Sequence, residues 1–241
     1  MTTTDRAPAS LNGSAKRSYV RQMFTAIAPR YDLLNHLLSF NLDRRWRRAA
    51  IRTLAWERVP DGAYLDACAG TLDLAAALAT QRGFLGRVAG ADFVVPMLQR
   101  GRKKADRIRP VGADALALPF PPGVFDGATV GFGIRNLADL DAGLGELRRV
   151  LRPGARCVIL EFSEPLAPIR PLFRFYFHRL LPWVGRLVSK HRDAYSYLPA
   201  SVERFPSAEE LVGRIERAGF GRVAYRRLAL GIAALHWGEA E

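Results

Sequence analysis

Short apolar runs alternate with helical patterns along most of this chain, and three of the runs end on or beside an acid. Residues 63–67 contain Asp66 and lead to Gly70, residues 87–91 end at Asp92, and a run near 109–113 ends at Asp114. Residues 125–132 and 157–162 follow; the latter is the most apolar and is closed by Glu161 and Ser163. Between and after them, apolar positions at helical spacing predict helices over 72–81, 95–104, 140–151 and 208–218. Strands that are apolar throughout belong to a sheet covered on both faces. The expected class is therefore α/β, with a mostly parallel sheet. Two close runs near 222–228 and 232–237 predict an antiparallel hairpin at its end.

Two stretches stand outside this alternation. Residues 16–56 read as helical, with apolar positions at Leu34, Leu37, Leu38, Leu42, Trp46, Ala49, Ala50 and Leu54. The pattern breaks around 39–41, and Asp43 is placed to cap the second piece. Residues 166–205 interrupt the later strands. Pro171 could open a helix there and Pro182 stop it, and Phe173, Phe175, Tyr176 and Phe177 lie between. The expected organisation is a flexible tail (1–15) and one domain (16–241), with basic N-terminal helices (16–58) and a lid-like insertion (166–205).

Charge is concentrated in the same two places. The 36 Lys and Arg against 23 Asp and Glu give +13, with a sequence pI near 10.6. Residues 16–58 carry ten basic and three acidic groups, and residues 166–192 six basic and none acidic, so the rest is net neutral. A nucleic-acid binder tends to spread or stripe its basic residues over the body, so no nucleic-acid partner is expected. The longest uncharged stretches, 115–125 and 228–238, fall well short of the roughly 20 residues of a membrane span. Residues 1–15 have no apolar segment of the secretory kind. Cys68 and Cys157 suit a reducing compartment, and neither they nor the four histidines have metal-ligand spacing, so no metal is expected.

In a doubly wound sheet, ligands bind beyond the carboxyl ends of the strands. The first such loop reads Asp66-Ala67-Cys68-Ala69-Gly70-Thr71-Leu72-Asp73. It lacks the dinucleotide pattern of three glycines. Asp92 lies 22 residues after Gly70, near the ~20 expected of an acid that takes a ribose diol. The same position suits a cap or turn residue.

Several motifs carry a resemblance. They are Tyr31-Asp32-x-Leu34-Asn35-x-x-Leu38-Ser39 with Trp46, the loop above, Ala117-Leu118-Pro119-Phe120 and Gly133-Ile134-Arg135-Asn136. Arg149-Val150-Leu151-Arg152-Pro153-Gly154 runs on to Leu160-Glu161-Phe162-Ser163. Tyr195-Ser196-Tyr197-Leu198-Pro199 and Gly231-Ile232-Ala233-Ala234-Leu235-His236 complete the set. Together, over residues 19–238, they resemble the quinone-biosynthesis C-methyltransferases. These use S-adenosylmethionine to methylate a ring carbon of demethylmenaquinol or its ubiquinone-pathway counterpart.

The resemblance implies a Rossmann-like class I methyltransferase fold, with a seven-stranded sheet and an antiparallel last strand. It implies a cofactor site opened by Asp66, with Gly70 and Thr71 near the methionine part, Asp92 on the ribose, Asp114 and Ala115 around the adenine, and Gly131 beside the methyl donor. Arg135, as a permanent cation, would stabilise the quinolate, or else form a structural ion pair. Asn136 would orient the hydroxyl or a water. Tyr31 and Tyr197 would bond in the same pocket, and Asp32 or a water would act as base. Glu161 is read as either structural or functional. The expected partners are a prenylated quinol and an anionic membrane surface met by the aromatic, basic insertion, with a homodimer left open. The expected location is cytoplasmic, on the inner face of the membrane.

Two positions depart from the family's pattern. Leu72 stands where it usually has glycine, and the expectation is that Leu72 begins its helix in ordinary α geometry with Thr71 as N-cap. Asp43 stands where a histidine is common. A nucleic-acid methyltransferase and a scaffold without cofactor are the rival classes; cofactor titration and product analysis separate them.

Overall fold

The computed structural model describes residues 11, 13–32, 36, 39, 41–176, 179 and 192–241, leaving aside the side chains of residues 30 and 192–196. Tail residues 1–10, Leu34, Asn35, Leu37, Leu38, Phe177 and Pro182 lie outside the described residues, as does much of the 166–205 insertion.

The chain opens with α1 (Gly13–Ile27), which gives way to a 3-10 turn containing Pro29, and α2 (Leu42–Leu54) follows. Strands and helices then alternate: β1 (Ala63–Ala67), α3 (Asp73–Ala79), β2 (Arg87–Asp92), α4 (Val95–Gly101), β3 (Ile108–Gly112) and β4 (Phe125–Gly131). Next come α5 (Leu140–Val150), β5 (Leu151–Phe162), α6 (Arg170–Phe175), α7 (Arg192–Glu203), α8 (Ala208–Arg217), β6 (Phe220–Leu228) and β7 (Ala233–Ala240). The sheet has seven strands in the order β3-β2-β1-β4-β5-β7-β6. All pairs from β3 to β5 are parallel, while β7 runs antiparallel to both β5 and β6. The expected fold class and terminal hairpin are both present.

Period-2 alternation sends successive residues of β5 to opposite faces. Cys157 and Ile159 pack with Leu144, Leu147 and Val150 of α5 and Leu211 and Ile215 of α8. Val158 and Leu160 pack on the other face with Trp46, Ile51 and Leu54 of α2 and Leu74 and Leu78 of α3. Each such fully buried aliphatic side chain stabilises the fold by about 1.5–3 kcal/mol. The strand starts earlier than the apolar run suggested, because a register shift lets the exposed Pro153-Gly154 pass.

Asp43 is not a cap. Asn41, in left-handed geometry, precedes α2, and Asp43 sits inside it, buried. Its carboxylate accepts from Ser39 Oγ at 2.7 Å, meets His36 Nδ1 at 2.8 Å and pairs with Arg47. Burial pushes its carboxyl up, but the Ser39 bond and the Arg47 and His36 charges outweigh this and hold it low. Among the described residues, no helix is long and apolar enough to cross a membrane.

Candidate active site

β1 and β4 are neighbours, but the chain leaves β1 for β2 and β3 on one side before returning to β4. Connections therefore diverge above β1 and β4, and a crevice opens there. Two adjoining hollows, of about 450 and 360 Å³ empty volume, fill this crevice. They share Cys68, Asp92, Phe93, Asn136 and Leu137 and form one cleft. The larger is lined also by Gly70, Gly131, Tyr31 and Met97, and the smaller by Asp114, Ala115 and Leu116.

The loop after β1 alternates into positive φ at Cys68 (52°), Gly70 (52°) and Leu72 (65°). Gly70 N donates to Asp92 Oδ2 at 2.8 Å, and Val94 N donates to Asp92 Oδ1 at 2.8 Å. Asp92 thus ties the loop to the turn after β2, and burial raises its pKa. Asp66 lies behind the loop, outside the cleft lining. It is 1 % exposed and accepts from Ala75 N and Thr129 Oγ1, both at 2.9 Å. It therefore caps α3 from the strand below, and burial pushes it up to about 7.

Leu72 contradicts its expectation: it is itself the residue preceding α3, in left-handed geometry. Thr71 does not cap; it is buried and its Oγ1 donates to Asp32 Oδ1 at 2.5 Å. The physical reason is a slot. A Cβ on Gly90 would stand 2.2 Å from Leu72 Cδ2, and one on Gly101 would stand 2.9 Å from Leu72 Cβ and 2.1 Å from Thr71 O. These two bare backbones admit a fully buried leucine. The left-handed conformation costs about 1–2 kcal/mol, and the burial, at about 1.5–3 kcal/mol, offsets it.

The roof of the cleft comes from α1, which the sequence reading missed. Val20 and Phe24 line the larger hollow, and Arg17 lines the smaller. Arg17 Nε stands 2.7 Å from Asp114 Oδ2, while Lys16 Nζ donates to the carbonyls of Arg135 (3.1 Å) and Leu137 (2.6 Å). One turn of α1 therefore spans both rims. The 17-20-24 spacing marks a helical face, but nothing in it names what that face covers. Cys68 and Phe93 were also missed, although Phe93 directly follows Asp92 and Cys68 lies two residues from both Asp66 and Gly70. Asp32 does not line the cleft: its two oxygens accept from Thr71 and from Lys104 Nζ at 3.0 Å.

Arg135 and Tyr197 are buried beyond the cleft lining, at 9 % and 3 % exposure. Arg135 Nη1 donates to Glu161 Oε1 and to Phe132 O, both at 2.6 Å, and the guanidinium lies 5.4 Å from the Phe162 ring centre. Tyr197 packs against Tyr19 with ring centres 5.6 Å apart. Among the described residues, Arg135 Nε, Asn136 Oδ1 and Tyr197 OH are buried without a hydrogen-bond partner. Of the sequence candidates, Gly70, Asp92, Gly131, Asn136 and Tyr31 meet around the larger hollow, and Asp114 and Ala115 around the smaller.

Comparison with known proteins matches residues 12–240 to the family described as ubiE/COQ5 methyltransferase. The chain belongs to that family. It is 50 % identical to a demethylmenaquinone methyltransferase of Thermus thermophilus, over 90 % of this chain and 99 % of that one. It is 44 % identical to a Deinococcus radiodurans protein of the same name, over 99 % of each. A Geobacter sulfurreducens ubiquinone/menaquinone biosynthesis C-methyltransferase is 45 % identical over 93 % of this chain and 89 % of its own. Among solved structures, a Thermotoga maritima SAM-dependent methyltransferase superposes with a TM-score of 0.62 at 18 % identity, covering 91 % of this chain and 99 % of that one. The [4+2]-cyclase SpnF reaches 0.65 at 16 % identity, covering 97 % and 98 %. A cyclase on this fold shows that architecture alone does not fix the reaction.

Proposed function

We propose that this methyltransferase transfers a methyl group from S-adenosylmethionine to a ring carbon of demethylmenaquinol. The cleft suits the cofactor: an acid at the end of β2 for the ribose hydroxyls, an apolar slot of Phe93, Ala115 and Leu116 for the adenine, and the bare Gly131 backbone. Bound there, the cofactor would supply a methyl already activated on sulfur, which the ring carbon would take as the C–S bond breaks, its own proton passing to water and S-adenosylhomocysteine being left.

The chain's own work is then to position the ring and to favour its oxyanion. One observation carries this reading. The turn Ile134–Asn136 brings an acceptor, Asn136 Oδ1, to the cleft lining and a donor, Arg135 Nε, just beyond it, both buried and unpartnered, and Tyr197 adds a hydroxyl beyond the lining. A ring hydroxyl and its oxyanion complement such a set. Arg135 faces the developing negative charge, Asn136 and Tyr197 hold the oxygen, and Tyr31 closes the cleft side. The names of the Thermus and Deinococcus relatives support a naphthoquinol. The Geobacter relative's name keeps the benzoquinol of the ubiquinone pathway as a second reading.

A prenylated ring must be collected from a membrane. On α6, Leu172 and Phe175 are 71 % and 63 % exposed, beside Arg170 and Arg174. Both arginines pair with Glu164, at 3.1 and 3.4 Å, which leaves a net positive charge beside the apolar pair and supports peripheral contact with an anionic bilayer. The test is product analysis by mass spectrometry with purified protein, cofactor and each demethylated quinol in turn. Methylation of the naphthoquinol is expected; turnover of the benzoquinol alone overturns the first reading, and turnover of neither overturns both.

A further inference from the structure

Glu161 closes β5 at 1 % exposure, and its carboxylate is spent on holding one arginine. Oε1 accepts from Arg135 Nη1 at 2.6 Å and from Phe162 N at 2.9 Å, and Oε2 faces Arg135 N at 3.4 Å. The same Nη1 also donates to Phe132 O at 2.6 Å, and the Phe162 ring lies under the guanidinium. A guanidinium is a planar, rigid fork. Once one nitrogen is tied at two points and one face is stacked, the direction of Nε–H is no longer free. That Nε is the atom left buried without a partner, as are Asn136 Oδ1 and Tyr197 OH among the described residues. Buried polar atoms are nearly always bonded, so such a group points to a ligand.

We propose that Glu161 is a positioning residue: it fixes Arg135 so that Nε–H, and not the terminal fork, meets the substrate oxygen. This rests on the quinol reading above. Glu161 has a second consequence, for charge. Burial pushes the Glu161 carboxyl up, while the Arg135 charge and the Phe162 and Arg135 amides pull it back down; with the carboxylate ionised the pair sums to zero beside the reacting hydroxyl, and without it the hydroxyl would face +1. The other charged or titratable groups near the pair are Lys16 from α1, bonded to the Arg135 carbonyl, Tyr197 from α7 with Tyr19 against it, and Cys68 from the loop after β1. Burial holds the Tyr197 and Cys68 pKa values up, so both stay neutral at moderate pH; burial and the Arg135 charge lower that of Lys16, which is held on two backbone carbonyls and is unchanged across the variants at Glu161. Removing the Glu161 charge is therefore the change that the hydroxyl would sense.

The experiment compares Glu161→Gln, Glu161→Asp and Arg135→Gln with the parent chain. Calorimetry with S-adenosylmethionine gives the active-site fraction, and kcat and quinol KM are measured across pH. A guanidinium displaced by about 1 Å costs up to about 100-fold in rate. Glu161→Gln is expected to lower kcat per cofactor site by about 10- to 100-fold with quinol KM within about threefold. Its pH–rate limb for the quinol hydroxyl should also move to lower pH. Glu161→Asp, which keeps the charge and shifts the guanidinium, should lower kcat with that limb unmoved; it carries the test if Glu161→Gln does not fold. Parent-like kcat per site in both Glu161 variants overturns the proposal, as does a Glu161→Gln limb that stays in place. Parent-like turnover by Arg135→Gln would instead overturn the catalytic reading of Arg135 itself.

Discussion

A leucine in left-handed geometry at the mouth of a cofactor loop should be coupled to the glycine that makes room for it. Gly90 and Leu72 are therefore a pair for a double-mutant cycle. A Cβ on Gly90 would lie 2.2 Å from Leu72 Cδ2, the end of a fully enclosed side chain, so the leucine would have to shift within the core to admit it. Overpacking of this kind costs about 1–3 kcal/mol, the expected loss for Gly90→Ala alone. Leu72→Gly removes a buried side chain, a loss of about 2–5 kcal/mol by analogy with leucine truncation. It also relieves about 1–2 kcal/mol of left-handed strain, leaving a net loss of about 0–4 kcal/mol. In the double variant the new methyl enters the space the leucine left, so Gly90→Ala becomes close to neutral. Urea unfolding of the four proteins should thus give a coupling of about 2 kcal/mol, with the double variant more stable than the sum of the singles. Additivity within about 0.5 kcal/mol would refute the slot as the reason for Leu72's conformation.

Other outcomes follow from the same geometry. Asp92→Ala frees the Gly70 and Val94 amides and should raise the cofactor Kd by at least about tenfold in calorimetry, equivalent to about 1.4 kcal/mol; an unchanged Kd removes the ribose assignment. Asp66 titrates near 7 when folded and near 3.8 otherwise, so the folded state binds the extra proton and stability falls as pH rises between those values. Asp66→Asn should abolish this fall, about 2 kcal/mol between pH 5 and 7, and parallel unfolding curves for both proteins would contradict it. Phe175→Asp with Leu172→Asp should lower binding to anionic vesicles by about tenfold or more without changing cofactor affinity, and vesicle binding equal to the parent's would remove α6 from the membrane face.

What was legible in the sequence follows how local its cause is. β1, β2 and β4 were readable because a strand buried on both faces must be apolar along its length, and the acid that ends β2 marks where polar chemistry can begin, whereas Asp66, near the end of β1, turns inward to cap α3. Leu72 was misread because its φ is set by Gly90 and Gly101, glycines remote in sequence whose missing side chains leave no local trace. Asp43 looked like a cap for the same reason: an acid near a helix start is ambiguous until Ser39, His36 and Arg47 close on it. The helix α7 holds Pro199 in its interior, where tertiary burial of Tyr197 and Ser201 overrides the breaker signal. The floor of the cleft was visible as Gly70, Asp92, Asp114 and Gly131. Its roof was not, since Arg17 meets Asp114 only through a contact between segments remote in sequence.

The most direct measurement is the fate of an isotopically labelled methyl group. Purified protein is incubated with methyl-labelled S-adenosylmethionine and demethylmenaquinol, and the product is located by NMR. The expected result is one labelled methyl on the ring carbon, formed in step with S-adenosylhomocysteine. Label on a quinol oxygen, or cofactor bound tightly with no label transferred, would contradict the assignment of this cleft to quinol C-methylation.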